Sequence, residues 1–468
     1  MRSDIEDVYQ KFLKIGAAIS RINANNTHSG NLSMISPYDQ EIFYTTSSGA
    51  QCGSLIIQDI VPMCFSGVSW GDARGSTEST IHRRILSIPG VNAAIHAHCL
   101  NSTYISYDTK EKQLFLHYLG NDDKGREEFQ FHPIDLFGAF AVGNVNIGSY
   151  FQPVGSAEME ERIPKYLIDN KITIVKGHGP FIKGKSLENA LYVLNVFELS
   201  SKLGIYLRRR GIDIVEIQKE IWKTGVNKFF PVKPHLFNDA ELSICEVKDK
   251  TVIDDFQQRL IYNYNNCIGA FGTGSISQKI SEKEMIYCPM SAIAKDFEFP
   301  LYKIPVDFQD NDSVDQKIHR LIYQNTHQNT CMITMSPLAT AEGMAMLVDN
   351  YGKEVILGKN MDIPYSPKNH PVITPIDAEA IYLNPRLGLV DISQLANYSA
   401  ENPILNMLRW HKGCCVVAGY GVISTGETTL EQAAHNAASA ERIAQFRSEV
   451  FINEKLLNGP IVKYFEPK

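Results

Sequence analysis

The chain repeats itself, and that feature constrains its fold more than any other. Residues 76–86 read STESTIHRRIL and residues 313–323 read SVDQKIHRLIY. Ser76 falls on Ser313, Ile81 on Ile318, His82 on His319 and Arg83 on Arg320, each 237 positions on. Further along, HPIDLF at 132–137 meets TPIDAE at 374–379, and IVKGHGPFIKGKSLENA at 174–190 meets VVAGYGVISTGETTLEQA at 416–433. The register drifts by only a few residues over about a hundred positions, as small loop insertions produce and chance similarity does not. Copy 1 spans roughly residues 1–225 and copy 2 residues 250–468. The stretch PVKPHLFNDAEL between them has the Pro and polar punctuation of a linker.

Length agrees with two domains, since 468 residues exceed what one hydrophobic core usually supports. Within each copy, helical segments alternate with short apolar strands such as AAIHAH (93–98) and ITIVKG (172–177), the pattern of an α/β fold. Each copy also holds an insertion with a hairpin-like stretch, KEKQLFLHY in the first and GKEVILGKN in the second.

Composition removes several function classes. A net charge of −7 argues against a nucleic-acid binder, which needs a clustered basic surface. The one dense basic run, Arg208-Arg209-Arg210, ends a predicted helix, where cations complement the negative end of the helix dipole. No apolar run reaches the ~18 residues of a membrane span. The N-terminal MRSDIEDVYQKFLKIGAAISR is an acid-bearing amphipathic helix and lacks the pattern of a secretory leader, so a cytoplasmic location is expected. Nine cysteines without a CxxC pair, two of them adjacent at Cys414 and Cys415, read as reduced thiols.

The chemistry is concentrated in copy 1. His96 and His98 stand two apart in a strand pattern, which turns both imidazoles to one face. His178 lies between Gly177 and Gly179, where the strand ITIVK ends ahead of a helix opening at Ser186. Flanking glycines allow the sharp turn that delivers a third imidazole. Three imidazoles with an open fourth position make a catalytic zinc site, and the donor set also suits iron, cobalt or manganese. Glu78 sits at the start of the predicted helix STESTIHRRIL. It is either a first-turn acid stabilised by the helix dipole or a fourth ligand that serves as general acid and base. SGNLS (29–33), TSSG (46–49) and Gly75-Ser76-Thr77 are small, hydroxylated and glycine-bearing, as anion-binding nests are.

In that order and at those separations, SGNLS, TSSG, STE, HAH and GHGPFIKGKSLENA resemble the class II aldolase/adducin family, over nearly all of copy 1. The resemblance implies two tandem three-layer α/β/α domains and a metal on His96, His98 and His178, with Glu78 as the catalytic residue. It implies phosphate binding by Gly30, Asn31, Ser48, Gly49, Ser76 and Thr77. It also implies carbon–carbon cleavage of a phosphorylated sugar or related hydroxy-keto compound through a metal-stabilised enediolate. Epimerase members resemble aldolases but carry Asp where this chain has Glu78, which favours cleavage. Decarboxylation passes through the same intermediate, and iron-dependent oxygenases and the non-catalytic adducins share the scaffold. A neighbouring tyrosine is implied as proton donor, with Tyr118 in the right region. The family's ring-shaped tetramers imply a homodimer that forms a pseudo-tetramer.

Copy 2 departs from the pattern at each functional position. Glu78 aligns with Asp315, His96 with Thr334, His98 with Ser336 and His178 with Tyr420. Neutral hydroxyls do not replace imidazoles as zinc ligands, so copy 2 is expected to be a metal-free relative of copy 1.

Overall fold

The computed structural model describes residues 3–25, 29–67, 74–266, 268–289, 298–359 and 362–457. By contact the chain divides into one unit of Met1–Pro133 with Ala141–Ser201, and a second of Ile134–Phe140 with Lys202–Lys468. The repeat traces ancestry and the contacts trace packing, so the two divisions do not share their boundaries.

The first unit is built on nine strands: β1 (Asn31–Ile35), β2 (Ile42–Thr46), β3 (Ile60–Cys64), β4 (Ala93–His96), β5 (His117–Asn121), β6 (Glu127–Phe131), β7 (Val145–Gly148), β8 (Ile172–Val175) and β9 (Gly179–Gly184). They lie in the order β3-β2-β1-β4-β9-β8-β7-β6-β5, with β7 and β8 parallel and every other neighbouring pair antiparallel. β4 and β8 are buried along their whole length. That is why they read as apolar runs: both faces of the sheet are covered. Helices Ser79–Leu86 and Ala157–Asp169 cover one face and bury Ile81, Ile85, Met159 and Ile163 against Phe43, Ala94, Val175 and Phe181. Each large side chain so buried contributes about 1.5–3 kcal/mol. The other face carries the helix Leu187–Arg209, whose Phe197 meets Phe131 edge-on.

The second unit repeats this plan with β10 (Ser275–Lys279), β11 (Glu284–Cys288), β12 (Tyr302–Pro305), β13 (Thr330–Thr334), β14 (Val372–Ile373), β15 (Leu387–Val390), β16 (Cys414–Val417) and β17 (Gly421–Gly426). Their order is β12-β11-β10-β13-β17-β16-β15-β14, and β15–β16 is again the parallel pair. Two α/β/α units of class II aldolase type therefore stand in tandem, as the repeat implies.

A buried carboxylate is duplicated as well. Glu198 accepts the backbone N–H groups of Asn101 (2.7 Å) and Ser102 (3.0 Å), which open the helix Leu100–Ile105. Glu441 accepts those of Leu338 (3.0 Å) and Ala339 (2.9 Å), which open the helix Pro337–Tyr351. Orphan amides of a helix start need acceptors when buried, and an acid on the long C-terminal helix of each copy supplies them.

One expectation is corrected. GKEVILGKN does not form a hairpin: Gly352 ends a helix at φ +83° and residues Lys353–Ile356 wind into a 3-10 turn. The helix expected to open at Ser186 begins at Leu187, but a strand precedes it that the sequence did not announce. The chain turns at Gly177–Gly179 and returns as β9 beside β8 before the helix begins at Leu187. Repeated glycine and mixed polarity in GPFIKG hid that strand. The basic run behaves as expected at the helix end, where Arg208 and Arg209 occupy the last turn.

Candidate metal centre

The site of the first unit is set by strand register. Asn31 of β1, His96 of β4 and Phe181 of β9 lie directly opposite one another, which puts their side chains on one face of the sheet. The helix Ser79–Leu86 packs on that same face and presents Glu78 from its N-cap position. The Phe181 ring stacks on His96 with centroids 4.0 Å apart and planes 13° apart. His96 Nδ1 lies 2.9 Å from the Pro180 carbonyl oxygen, so this nitrogen carries the proton and Nε2 presents its lone pair to the site. His98 lies just past the end of β4, held by its backbone N–H to Asn25 Oδ1 at 2.8 Å. His178 is at the apex of the β8–β9 turn. Gly179 is required there, because a Cβ would stand 2.2 Å from the Ala97 carbonyl oxygen.

The three Nε2 atoms converge. His98 Nε2 is 3.0 Å from His96 Nε2 and 3.1 Å from His178 Nε2. Glu78 Oε2 is 3.4 Å from His96 Nε2, and Oε1 is 4.0 Å from His178 Nε2. Asn31 Nδ2 donates to Glu78 Oε2 at 2.9 Å, whereas Oε1 is buried without a hydrogen bond. Among the described residues this is the one group of three or more His, Cys, Asp or Glu side chains close enough to share an ion.

Burial holds all three imidazoles neutral, and their mutual proximity reinforces the effect at two of them. It lowers His96 well below the usual histidine value, with His178 and His98 adding to the effect. It lowers His98 to about 4, and it lowers His178 against the opposing charge of Glu78. Neutral imidazole is the ligating form. Nitrogens bound tetrahedrally at about 2.0–2.1 Å from an ion stand roughly 3.3–3.4 Å apart, a small relaxation from the spacings here. Three neutral imidazole nitrogens at these spacings fit a divalent metal.

The hydroxyl-rich segments are brought together beside this cluster. Ser47 bridges to Gly75, Ser48 N–H donates to the Arg74 carbonyl at 3.0 Å, and Ser76 N–H donates to that of Thr46 at 3.0 Å. Asn31 and Ser76 are buried, while Ser48, Gly49 and Thr77 are exposed at the rim and Gly30 adopts φ +80° behind Asn31. Tyr118 lies on β5 and donates to Asn121 Oδ1 at 2.6 Å. Asn25 lies outside every motif, and Pro180 and Phe181 stand inside GHGPFIKG without any sign that they serve His96, so these partners escaped the sequence reading. Their identity as partners depends on which strands are neighbours.

In the second unit the sheet register shifts the alignment of the lost ligands by one residue. Ser275 of β10 lies opposite Ile333, as Asn31 lies opposite His96. A Cβ on Gly421 would stand 2.2 Å from the Thr334 carbonyl, as one on Gly179 would from Ala97. His96 therefore corresponds to Ile333 and His98 to Met335, in place of Thr334 and Ser336. Copy-to-copy comparison had placed a gap where the backbone has none. Tyr420 stands for His178 and Asp315 for Glu78, and the Tyr420 hydroxyl donates to Asp315 Oδ1 at 2.5 Å. Both groups are buried, which raises the Asp315 pKa and raises that of Tyr420 well above its ordinary range.

Residues 10–205 and 270–447 both match the model of the Class II Aldolase and Adducin N-terminal domain. A methylthioribulose-1-phosphate dehydratase of Leptospira biflexa is 23% identical over 176 residues, covering 35% of this chain and 79% of the relative. A 3-oxo-tetronate 4-phosphate decarboxylase of Escherichia coli is 25% identical over 185 residues, covering 39% and 79%. Among solved structures, the L-fuculose-1-phosphate aldolase of Thermus thermophilus aligns at 21% identity and a TM-score of 0.37, covering 43% of this chain and 94% of that one. A sugar-phosphate aldolase of Thermotoga maritima aligns at 14% identity and a TM-score of 0.36, covering 45% and 97%.

Proposed function

The chain belongs to the class II aldolase and adducin family, and from that premise we propose that its first unit is a metal-dependent lyase cleaving a carbon–carbon bond of a phosphorylated sugar or related hydroxy-keto compound. One observation carries the reading: three neutral imidazoles converge on one point with an unsatisfied carboxylate oxygen of Glu78 beside them. His96, His98 and His178 would hold the ion, zinc first by the donor set. A divalent cation there supplies Lewis-acid charge to carbonyl and hydroxyl oxygens of the substrate.

The chain's own groups do the rest. Glu78 Oε2 is tied to Asn31, which leaves Oε1 as the oxygen that takes and returns a proton. Burial of Glu78 at 4% exposure excludes bulk water from that transfer. Asn31, Ser48, Gly49, Ser76 and Thr77, with Gly30 shaping the approach, would bind the phosphate through hydroxyls, amide and backbone N–H groups.

The curated relatives are named as a dehydratase and a decarboxylase, and both reactions need a proton moved beside a carbonyl. Product analysis separates these chemistries: a cleaved aldehyde, carbon dioxide or an eliminated water. Metal analysis of the purified chain together with a crystal soak in phosphoglycolohydroxamate tests the reading itself. Stoichiometric metal with the phosphate against Asn31 and Ser76 is the expected result. A metal-free protein, or His96→Ala with unchanged turnover, would overturn it.

A further inference from the structure

Imidazoles converge a second time, away from the repeated motifs. In the second unit His370 Nε2 lies 2.9 Å from His411 Nε2, with ring centroids 5.0 Å apart. His370 follows the turn at Ser366–Asn369, just ahead of β14, and His411 closes the end of the helix Pro403–Trp410. At the offset of 242 positions that relates these regions to copy 1, they fall on Glu128 and Asp169, neither of which belongs to the metal centre. The pair is therefore not a remnant of the lost triad.

Its construction nevertheless follows that of the triad. His370 Nδ1 lies 2.8 Å from the Ser366 carbonyl oxygen, which makes it the protonated nitrogen and leaves Nε2 with its lone pair towards His411. The Pro180 carbonyl fixes His96 by the same device, and ligating histidines are commonly held in this way. The turn below His370 is closed twice, by Ser366 N–H to the Asn369 carbonyl at 3.0 Å and Asn369 N–H to the Ser366 carbonyl at 3.1 Å. Tyr365 then ties this turn to the residue after β15, donating to Asp391 Oδ2 at 2.7 Å. His411 is anchored by its N–H to the Met407 carbonyl at 2.9 Å, and its ring is in hydrogen-bond reach of the Arg386 carbonyl. Gly388 of β15 makes room for that ring, since a Cβ there would stand 2.9 Å from His411 Cδ2. Both rings are thus held before any ion arrives.

Charge and access suit a cation. Burial lowers the His411 pKa to about 4, with His370 and Arg386 adding to the effect, so its imidazole is neutral near pH 7. His411 is 8% exposed but His370 is only half-buried, which leaves the pair open from the His370 side. Arg386 opposes a cation here, but it is exposed and water screens it.

We propose that His370 and His411 bind a second divalent transition-metal ion, zinc by the preference of paired imidazoles, with water in its remaining positions. Two protein ligands hold an ion less tightly than three. This site therefore fills with added metal and empties on dialysis, whereas the ion of the first unit stays. Nothing in this assignment depends on the reaction of the first unit.

Trp410 supplies the reporter, because its ring centroid lies 5.0 Å from that of His370. The test is equilibrium dialysis of the full-length chain, already holding the first unit's ion, against rising Zn²⁺, beside titration of tryptophan fluorescence with Cu²⁺ as a quenching probe. One further equivalent of zinc should bind, and Trp410→Phe should identify the quenched indole. His370→Ala, on the half-buried turn, should weaken that equivalent about tenfold or more and remove the quenching, with the first ion and turnover unchanged. His411→Asn should reproduce the loss from the other side of the pair. Equal zinc uptake by the wild type and His370→Ala would overturn the proposal, as would quenching that survives both His370→Ala and Trp410→Phe. A wild type that takes up no further zinc, with His370→Ala lowering only the melting temperature, would reduce the pair to a structural hydrogen bond and overturn it too.

Discussion

The same backbone carries two different centres. In the first unit His96, His98 and His178 turn three neutral nitrogens on one point beside Glu78. In the second, Ile333, Met335 and Tyr420 occupy those positions, and the acid at Asp315 bonds to the tyrosine that replaced an imidazole. The strand order, the parallel pair, the glycine at the turn and the buried cap glutamate all persist. Ligands and frame are therefore separable: the frame is held by burial and backbone pairing, to which the imidazoles contribute little. The second centre offsets part of the cost of its loss. An acid left alone in an apolar site is expensive, and the Tyr420 hydroxyl donates to Asp315 Oδ1 while Oδ2 stays buried without a hydrogen bond.

The largest difference should come from metal. Chelation, or His96→Ala, should abolish turnover and empty the first unit of its ion, read by elemental analysis beside an activity assay. Metal that stays at one equivalent in His96→Ala would place the site elsewhere. Glu78→Gln should keep the ion and lower turnover by about 10²–10⁴-fold, since it removes a proton carrier and not a ligand. Equal loss of metal and activity would make Glu78 a ligand in place of a base.

Acid should act next. Burial sets His98 to about 4 and His82 to about 3 in the first unit, and His319 to about 3 in the second. Unfolded histidines take protons below about 6.5 while these do not, so the folded state loses stability as pH falls from about 6.5 towards 4. Each group contributes up to about 1.4 kcal/mol per pH unit in that window. Melting of chelated protein between pH 7 and 5 reads the loss, and a flat profile would mean that these imidazoles are charged. Tyr420→Phe should cost about 1–3 kcal/mol of stability through Asp315, with no change in metal content or turnover. Smallest, Glu198→Gln and Glu441→Gln should each cost about 1 kcal/mol, matched between the units. A marked inequality would show that the two copies no longer use the cap alike.

Much of this was legible beforehand where the signal was local or repeated. The His96–His98 spacing, the glycines around His178 and the register of TIHRRI against KIHRLI needed no structure to be read. The α/β alternation held because both units bury their central strands. Strand β9 was missed because its residues GPFIKG lack both alternation and an apolar run. The false hairpin at GKEVILGKN has a related cause: β-branched residues there favour a strand, but Gly352 turns the chain into a 3-10 segment before any partner is reached.

The sequence by itself determined the duplication, the ligand types and the loss of those types in copy 2, because each is a matter of which residue stands in a repeated order. Tertiary structure alone decided which residues serve those ligands. Phe181 stacks on His96, the Pro180 carbonyl fixes its tautomer, Asn25 anchors the His98 backbone and Asn31 steers Glu78. It also decided that Ile333 and Met335, and not Thr334 and Ser336, stand where imidazoles once did. The reason is physical: these relations run across strands, and hydrogen-bond register between strands distant in sequence is fixed only when the sheet closes.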